Sequence, residues 1–285
     1  MSGLAHIINP VQMAPTSDLG VAQAITFETM RTARKRASSV VDVELYAAAF
    51  REDRSAVPPD FLRTTDIERS LLDAGTFRRP RKLPLLKDVL HRLYEATDAE
   101  YLIYTNADIG LQPDFYVSVQ RLIEAGHDAL VINRRNIPRR YSQPSEIPQM
   151  YAAAGRPHPG WDCFVFPRAV FPHYDLGEVA IGIPRVGLAL LANLMVHAVE
   201  FREVKRLHLT FHRGDDRRWI ARSSADFAAH NTREVIALLR RLEAKHGPFS
   251  RQTPPGRFLF RKRLLGPLYE TWVRGAAVLA RRFSS

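Results

Sequence analysis

Asn106 and Asp108 stand two residues apart at the end of Glu100 to Thr105, an apolar run that reads as a strand. On extended backbone such positions share a face at a spacing of about 6.6 Å, so both side chains can address one ligand. A carboxylate suits a hard cation, Mn2+ or Mg2+, which keeps some of its waters and binds a substrate's phosphates. The competing reading is that the two residues only cap the turn before Pro113. Further on, His208-Leu209-Thr210-Phe211-His212 carries two histidines that four residues of strand hold about 13 Å apart, too far to share an ion. His212, at the mouth of a polar turn, is the better metal ligand, and His208 is expected to be an interior histidine with its hydrogen bonds met. Asp162, in His158-Pro159-Gly160-Trp161-Asp162-Cys163, opens an apolar strand directly after a long segment. It is placed either to act as general base on an acceptor hydroxyl or to hold backbone N–H groups of the loop. In that segment Arg134, Arg135, Arg139 and Arg140 either offer planar forks to phosphate or form a solvated surface run.

These residues need a scaffold, and short apolar runs alternating with helical patterns predict an α/β fold around a largely parallel sheet. Strands are expected over Leu4 to Val11, Val40 to Phe50, Glu100 to Thr105, Ala129 to Asn133, Cys163 to Phe166 and Arg206 to Phe211. The first helix is expected to start at an Asp18 N-cap. Others are expected over Asp66 to Ala74, Leu83 to Ala96, Pro113 to Ala125, Arg185 to Val199 and His230 to His246. Arg134 to Gly160 reads as a long loop, because Pro138, Pro144, Pro148, Pro157 and Pro159 interrupt it. In open parallel sheets ligands bind beyond the carboxyl ends of the strands, which is where Asp108 falls. Gln252 to Gly256 reads as a linker, which divides the chain into residues 1–250 and an extension over 251–285.

The 285 residues carry a net charge of +11, and the whole excess lies from Arg217 onward, where 15 Lys and Arg meet 4 Asp and Glu. The neutral remainder lacks the basic sheet face of an RNA binder, so no nucleic-acid partner is expected. After Pro267, Leu268, Trp272, Ala276, Leu279 and Phe283 recur at helical spacing beside Arg274, Arg281 and Arg282. This basic amphipathic helix either lies on an anionic membrane surface or docks on the domain with a solvated basic edge. A single cysteine, Cys163, excludes a disulfide framework and a cysteine zinc site. No secretory leader pattern and no apolar run of about 20 residues is visible, so the expected location is the cytoplasm, free or peripheral on the inner face of the membrane. A P-loop, a dinucleotide G-x-G-x-x-G after the first strand and a G-x-S-x-G elbow are all absent, which removes the main support for NTPase, NAD-dependent and serine-hydrolase chemistry.

The ordered set of an opening HIINP, KLPLLKD, TNADIG, Gly160-Trp161-Asp162-Cys163-Phe164 and HLTFHRGDDRRW resembles the GT-A glycosyltransferases, in particular bacterial glycosyltransferase-like proteins with such motifs. The likeness runs over about residues 5 to 220. It implies a GT-A, Rossmann-like fold and a nucleotide-sugar donor whose diphosphate is bridged by Mn2+ or Mg2+. Asp108 then takes the metal-ligand position of the D-x-D element, and Asn106 stands where the first acidic residue is found. That departure supplies a neutral oxygen, so Asn106 either binds metal more weakly or bonds ribose or sugar. The resemblance also implies His212 as the late metal ligand, Asp162 as the base of an inverting enzyme, and Pro10 and Val11, with Glu52 or Asp53, against the nucleotide base. The expected activity is metal-dependent sugar transfer to a cell-envelope glycan or glycolipid. The alternatives are a sugar-1-phosphate nucleotidyltransferase, against which the missing glycine-rich basic signature counts, and a non-catalytic basic module for RNA or membrane.

Overall fold

The computed structural model describes residues 3–214 and 225–263. Asp215, Asp216 and the helix expected after Pro267 lie outside them. In chain order the elements are β1 (Leu4–Ile8), α1 (Asp18–Ala37), β2 (Val43–Ala47), β3 (Leu62–Arg63), α2 (Leu86–Ala96), β4 (Tyr101–Thr105), β5 (Ile109–Leu111) and α3 (Phe115–Glu124). They continue with β6 (Ala129–Ile137), α4 (Ile147–Ala152), β7 (Arg156–Pro167), α5 (Val186–His197), β8 (Phe201–Val204), β9 (Thr210–Arg213) and α6 (Ala225–His246).

The sheet runs β3-β2-β1-β4-β7-β6-β9-β5, with β8 paired to β6 beside β9. Pairing is mostly parallel, as expected, while β7 runs antiparallel to β4 and β6, and β5 antiparallel to β9. Side chains alternate between the two faces, as the period of two along a strand requires. Leu4 and Ile8 of β1, with Tyr101 and Ile103 of β4, pack under α1 and α3 among Met30, Ala33, Phe115 and Tyr116. Ala5, Ile7, Leu102 and Tyr104 face the other way, toward α2, α5 and α6. α5 is apolar almost all round, and its central residues from Leu188 to Leu194 are buried, as a helix without a polar face must be. Among the described residues no helix is long and apolar enough to cross a membrane.

Several expected elements differ. Ser17, not Asp18, caps α1: its side chain accepts the Gly20 N–H at 3.1 Å, and Asp18 is the first helical residue. Asp66 to Ala74 forms only the 3-10 turn Leu71–Asp73, because Ile67 bridges to Phe50 and the Leu71 N–H bonds the Leu83 carbonyl, leaving room for one turn. The expected loop over Arg134 to Gly160 instead contains the outer half of β6, the helix α4 and the start of β7. The ladder passes from Asn133 opposite Trp161 to Arg135 opposite Pro157, so Pro159 falls in an irregularity where no ladder hydrogen bond is lost. The late strand starts at Thr210 rather than Arg206, and β8 precedes it. The expected linker turns helical at residue 254, where Pro254 and Pro255 occupy a first turn that needs no proline N–H, and Leu259 of this helix is buried in the core.

Candidate active site

β4 ends in the turn Asn106-Ala107-Asp108, which β5 carries back into the sheet. The register pairs Thr105 with Cys163 and Ile109 with His212, so Asp162 falls beside Asn106, and His212 beside Asp108. Nε2 of His212 lies 3.3 Å from Oδ2 of Asp108, with the Asp108 side chain 24% exposed and that of His212 9%. Burial works to raise the Asp108 pKa, but the hydrogen bond and charge of His212, helped by Arg134, hold the carboxyl below its ordinary value. Asn106 accepts the Tyr104 hydroxyl at 2.9 Å through Oδ1. Tyr104 is itself buried, and burial together with the charges of Asp108 and Asp162 drives its pKa upward, so it stays a neutral donor.

Asp162 lies within β7 rather than at the start of a strand as expected, and it does not stand alone. Nη1 of Arg134 lies 2.7 Å from its Oδ2, with only 3% of the arginine side chain and 13% of the aspartate exposed. Nε of Arg134 donates to Asn136 Oδ1 at 3.1 Å. A charge so far removed from water requires such partners. The ladder irregularity in β6 falls at residues 133–135, and such bulges commonly re-aim a side chain. Arg134 is therefore neither a loop residue nor part of a solvated run. Sequence reasoning missed its position because the strand was expected to stop at Asn133; residues 133–136 are all polar, so no apolar alternation marked the continuation to Ile137. Arg135 bonds His208 and the Gly155 carbonyl, and Arg139 pairs with Asp18. His208, expected inside, is exposed in a left-handed conformation with φ of 53°, and partial loss of hydration together with the Arg135 charge lowers its pKa.

Pro10 and Val11 follow β1, and Asp53 sits in the 3-10 turn Arg51–Ala56 after β2, so all three lie beyond strand carboxyl ends. The Val11 N–H donates to Gln23 Oε1 at 2.8 Å, and its carbonyl accepts from Gln23 Nε2 at 2.9 Å. Oδ1 of Asp53 accepts the Gln12 N–H at 2.7 Å, and burial raises the Asp53 pKa. Glu52 pairs instead with Lys82. A cleft of about 470 Å³ opens at the opposite edge, lined by Asp42, Glu44, Glu95 and Asp98, a charge set that repels phosphate.

No family model and no curated protein matches the chain. Among solved structures it is similar to residues 1–349 of S. aureus TarS, with 9% identity over 88% of this chain and 73% of that one and a TM-score of 0.46. It is also similar to M. tuberculosis glucosyl-3-phosphoglycerate synthase, with 14% identity over 87% and 82% of the two chains and a TM-score of 0.47. The same enzyme in complex with Mg2+ and UDP gives 13% identity over 87% and 81% and a TM-score of 0.46. Likeness this distant carries no weight for activity, which has to rest on the site.

Among the described residues no group of three or more His, Cys, Asp or Glu side chains gathers as a metal cage. Asp108 and His212 nevertheless bring one carboxylate oxygen and one imidazole nitrogen within 3.3 Å of each other. Two protein ligands are what a Mg2+-type cation takes when substrate phosphates and waters fill the remaining positions. The donor set therefore fits a cation brought in with a phosphorylated substrate.

Proposed function

We propose that this chain is a glycosyltransferase that moves a sugar from a nucleotide-sugar to a cell-envelope glycan or glycolipid. The observation that supports it best is the meeting of Asp108 with His212, and of Asp162 with Arg134, beyond the carboxyl ends of the central strands. Sugar transfer needs negative charge on a leaving diphosphate to be stabilised and an acceptor hydroxyl to lose a proton. Asp108 and His212 would hold Mn2+ or Mg2+, which when bound neutralises that diphosphate without a proton donor. Pro10, Val11 and Asp53 form the wall assigned to the nucleotide base, held by Gln23 and the Gln12 N–H. Asp162 is the assigned base, and Asn106, turned by Tyr104, is the assigned neutral contact to ribose or sugar. Residues 1–250 carry this chemistry in our reading, and the basic helix read after Pro267, in the extension 251–285, contacts an anionic membrane surface.

The test is a panel of UDP-, GDP-, CMP- and dTDP-sugars with and without Mn2+. One donor is expected to raise the melting temperature in the presence of the cation and to be slowly hydrolysed. Absence of stabilisation by every member of the panel overturns the assignment.

A further inference from the structure

We propose that His158 is an acceptor-binding residue: its imidazole, folded back over Gly160 beside Asp162, donates through Nε2–H to the acceptor whose hydroxyl Asp162 deprotonates. The assignment rests on the glycosyltransferase reading, with Asp162 as its base, and adds a second contact on the acceptor side of that site.

The placement comes from the ladder. Asn133 stands opposite Trp161 and Arg135 opposite Pro157, so His158, Pro159 and Gly160 of β7 together face the single residue Arg134 of β6. Such an irregularity leaves backbone groups without ladder partners and re-aims side chains. Both polar groups of Gly160 are met by side chains instead. Its N–H donates to Nδ1 of His158 at 3.0 Å, and its carbonyl accepts from Nδ2 of Asn133 at 3.1 Å. The imidazole lies so close over Gly160 that an added Cβ would stand 2.6 Å from its Cε1, and that same Cβ would be 3.6 Å from Oδ2 of Asp162. Only a residue without a side chain lets the ring and the carboxylate share this space. His158, Gly160 and Asp162 are all half-buried, so the group is reachable from solvent.

The Gly160 hydrogen bond also sets the tautomer. A ring nitrogen that accepts an N–H carries no hydrogen of its own, so the imidazole is neutral and its hydrogen is on Nε2, the atom next to Cε1. His158 is thereby a donor standing beside an acceptor, the Asp162 carboxylate. A carboxylate holds an incoming hydroxyl through its proton alone. A donor beside it holds the acceptor molecule at a second point, which supplies the orientation that transfer between two bound substrates requires.

The experiment uses the full chain, Mn2+ and the member of the UDP-, GDP-, CMP- and dTDP-sugar panel that stabilises it. Glycerol and the methyl glycosides of glucose, galactose, mannose and N-acetylglucosamine serve as probe acceptors. Initial rates at varied acceptor give kcat and KM, calorimetric titration of UDP and GDP with Mg2+ reads the donor side, and thermal melts check folding. In His158→Asn the side-chain oxygen can still take an N–H two residues on, so the backbone arrangement is kept while the Nε2 donor is gone. This variant is expected to melt with the unaltered chain and to bind nucleoside diphosphate within about twofold. Its kcat/KM for the acceptor should fall by about tenfold, mostly through KM, the effect of one lost hydrogen bond. His158→Gln, whose longer amide reaches the Nε2 position, should recover part of that loss, and Gly160→Ala should repeat it because its Cβ displaces the ring. Full kcat/KM for the acceptor in a folded His158→Asn would mean that the imidazole only holds Gly160, and would overturn the assignment. Donor hydrolysis without transfer to any probe acceptor overturns it too. If the unaltered chain turns over no donor at all, the glycosyltransferase reading falls and the role of His158 with it.

Discussion

His212 on β9 reaches Asp108 at 3.3 Å because β5 and β9 pair antiparallel with Ile109 opposite His212. The strand that follows the acidic turn thus selects its histidine partner by register, and a slip of one residue would turn the imidazole to the other face.

From this pair follows a division between two variants. Asp108→Ala removes the only carboxylate of the pair and should lower cation-dependent hydrolysis of the nucleotide-sugar by more than about a hundredfold. His212→Ala keeps the carboxylate and should raise the Mn2+ concentration needed for half-maximal activity by about ten- to a hundredfold, with partial recovery at saturating cation. Hydrolysis rates across a Mn2+ titration check both. Unchanged turnover in Asp108→Ala would remove the metal assignment.

His6 lies in β1 on the side of α1 and α3, fully buried, with Nδ1 2.7 Å from the Tyr116 hydroxyl and Nε2 2.9 Å from Thr105 Oγ1. Neutral imidazole meets both partners with one donor and one acceptor. Burial pushes its pKa down to about 3. The unfolded chain, with an ordinary histidine near 6.5, therefore binds one more proton between these limits. The resulting stability is fully present above pH 6.5 and is lost as pH falls toward 3. The slope is at most about 1.4 kcal/mol per pH unit. Urea unfolding at pH 7 and pH 5 should show the unaltered chain losing about 2 kcal/mol more than His6→Gln over that interval. Equal losses in the two would show that His6 titrates normally in the folded state.

How far the site could be read from the sequence depended on whether a residue's role was set locally. The placement of Asp108 and Asn106 in the turn after β4 was visible because an apolar strand running into a polar turn is a short-range pattern. Cys163 was correctly read as a buried thiol, since it sits inside an apolar run, and burial raises its pKa well above the ordinary value. The partnership of Arg134 with Asp162 was not visible, because it depends on how β6 and β7 slip past each other at residues 133–135. His208 was misplaced for a related reason: it was expected within one continuous strand from Arg206 to Phe211. In fact β8 ends at Val204 and β9 begins only at Thr210, leaving His208 in an exposed connection. The prolines of 134–160 were read as breaking regular structure, when Pro159 falls in the ladder irregularity and Pro144 and Pro148 take first-turn positions of a 3-10 turn and of α4.

The segment expected as a linker gives a third prediction. Leu259 is 2% exposed and belongs to the same core cluster as Leu238, Leu239 and Leu242 of α6. A linker residue could be truncated at no cost, whereas a packed leucine leaves a cavity. Leu259→Ala should therefore lower stability by about 2–4 kcal/mol in denaturant unfolding. A change below about 0.5 kcal/mol would return this stretch to the role of a tether.

The last prediction concerns how Asp162 is held from behind. Gly187, in the first turn of α5, lies so close to β7 that an added Cβ would stand 2.5 Å from the Trp161 carbonyl oxygen. Trp161 cannot easily retreat, because its indole N–H donates to Glu203 Oε1 at 3.0 Å and its neighbour Asp162 is paired with Arg134. On helix propensity alone Gly187→Ala should stabilise the protein by nearly about 1 kcal/mol. The steric contact reverses the sign, and a net loss of about 1–3 kcal/mol is expected. Because the strain falls on the residue next to Asp162, sugar transfer should drop by about tenfold or more, while binding of the nucleoside diphosphate changes little. Chemical denaturation and steady-state kinetics on the same variant separate the two effects. A stabilised Gly187→Ala protein with full activity would show that α5 does not press on this strand.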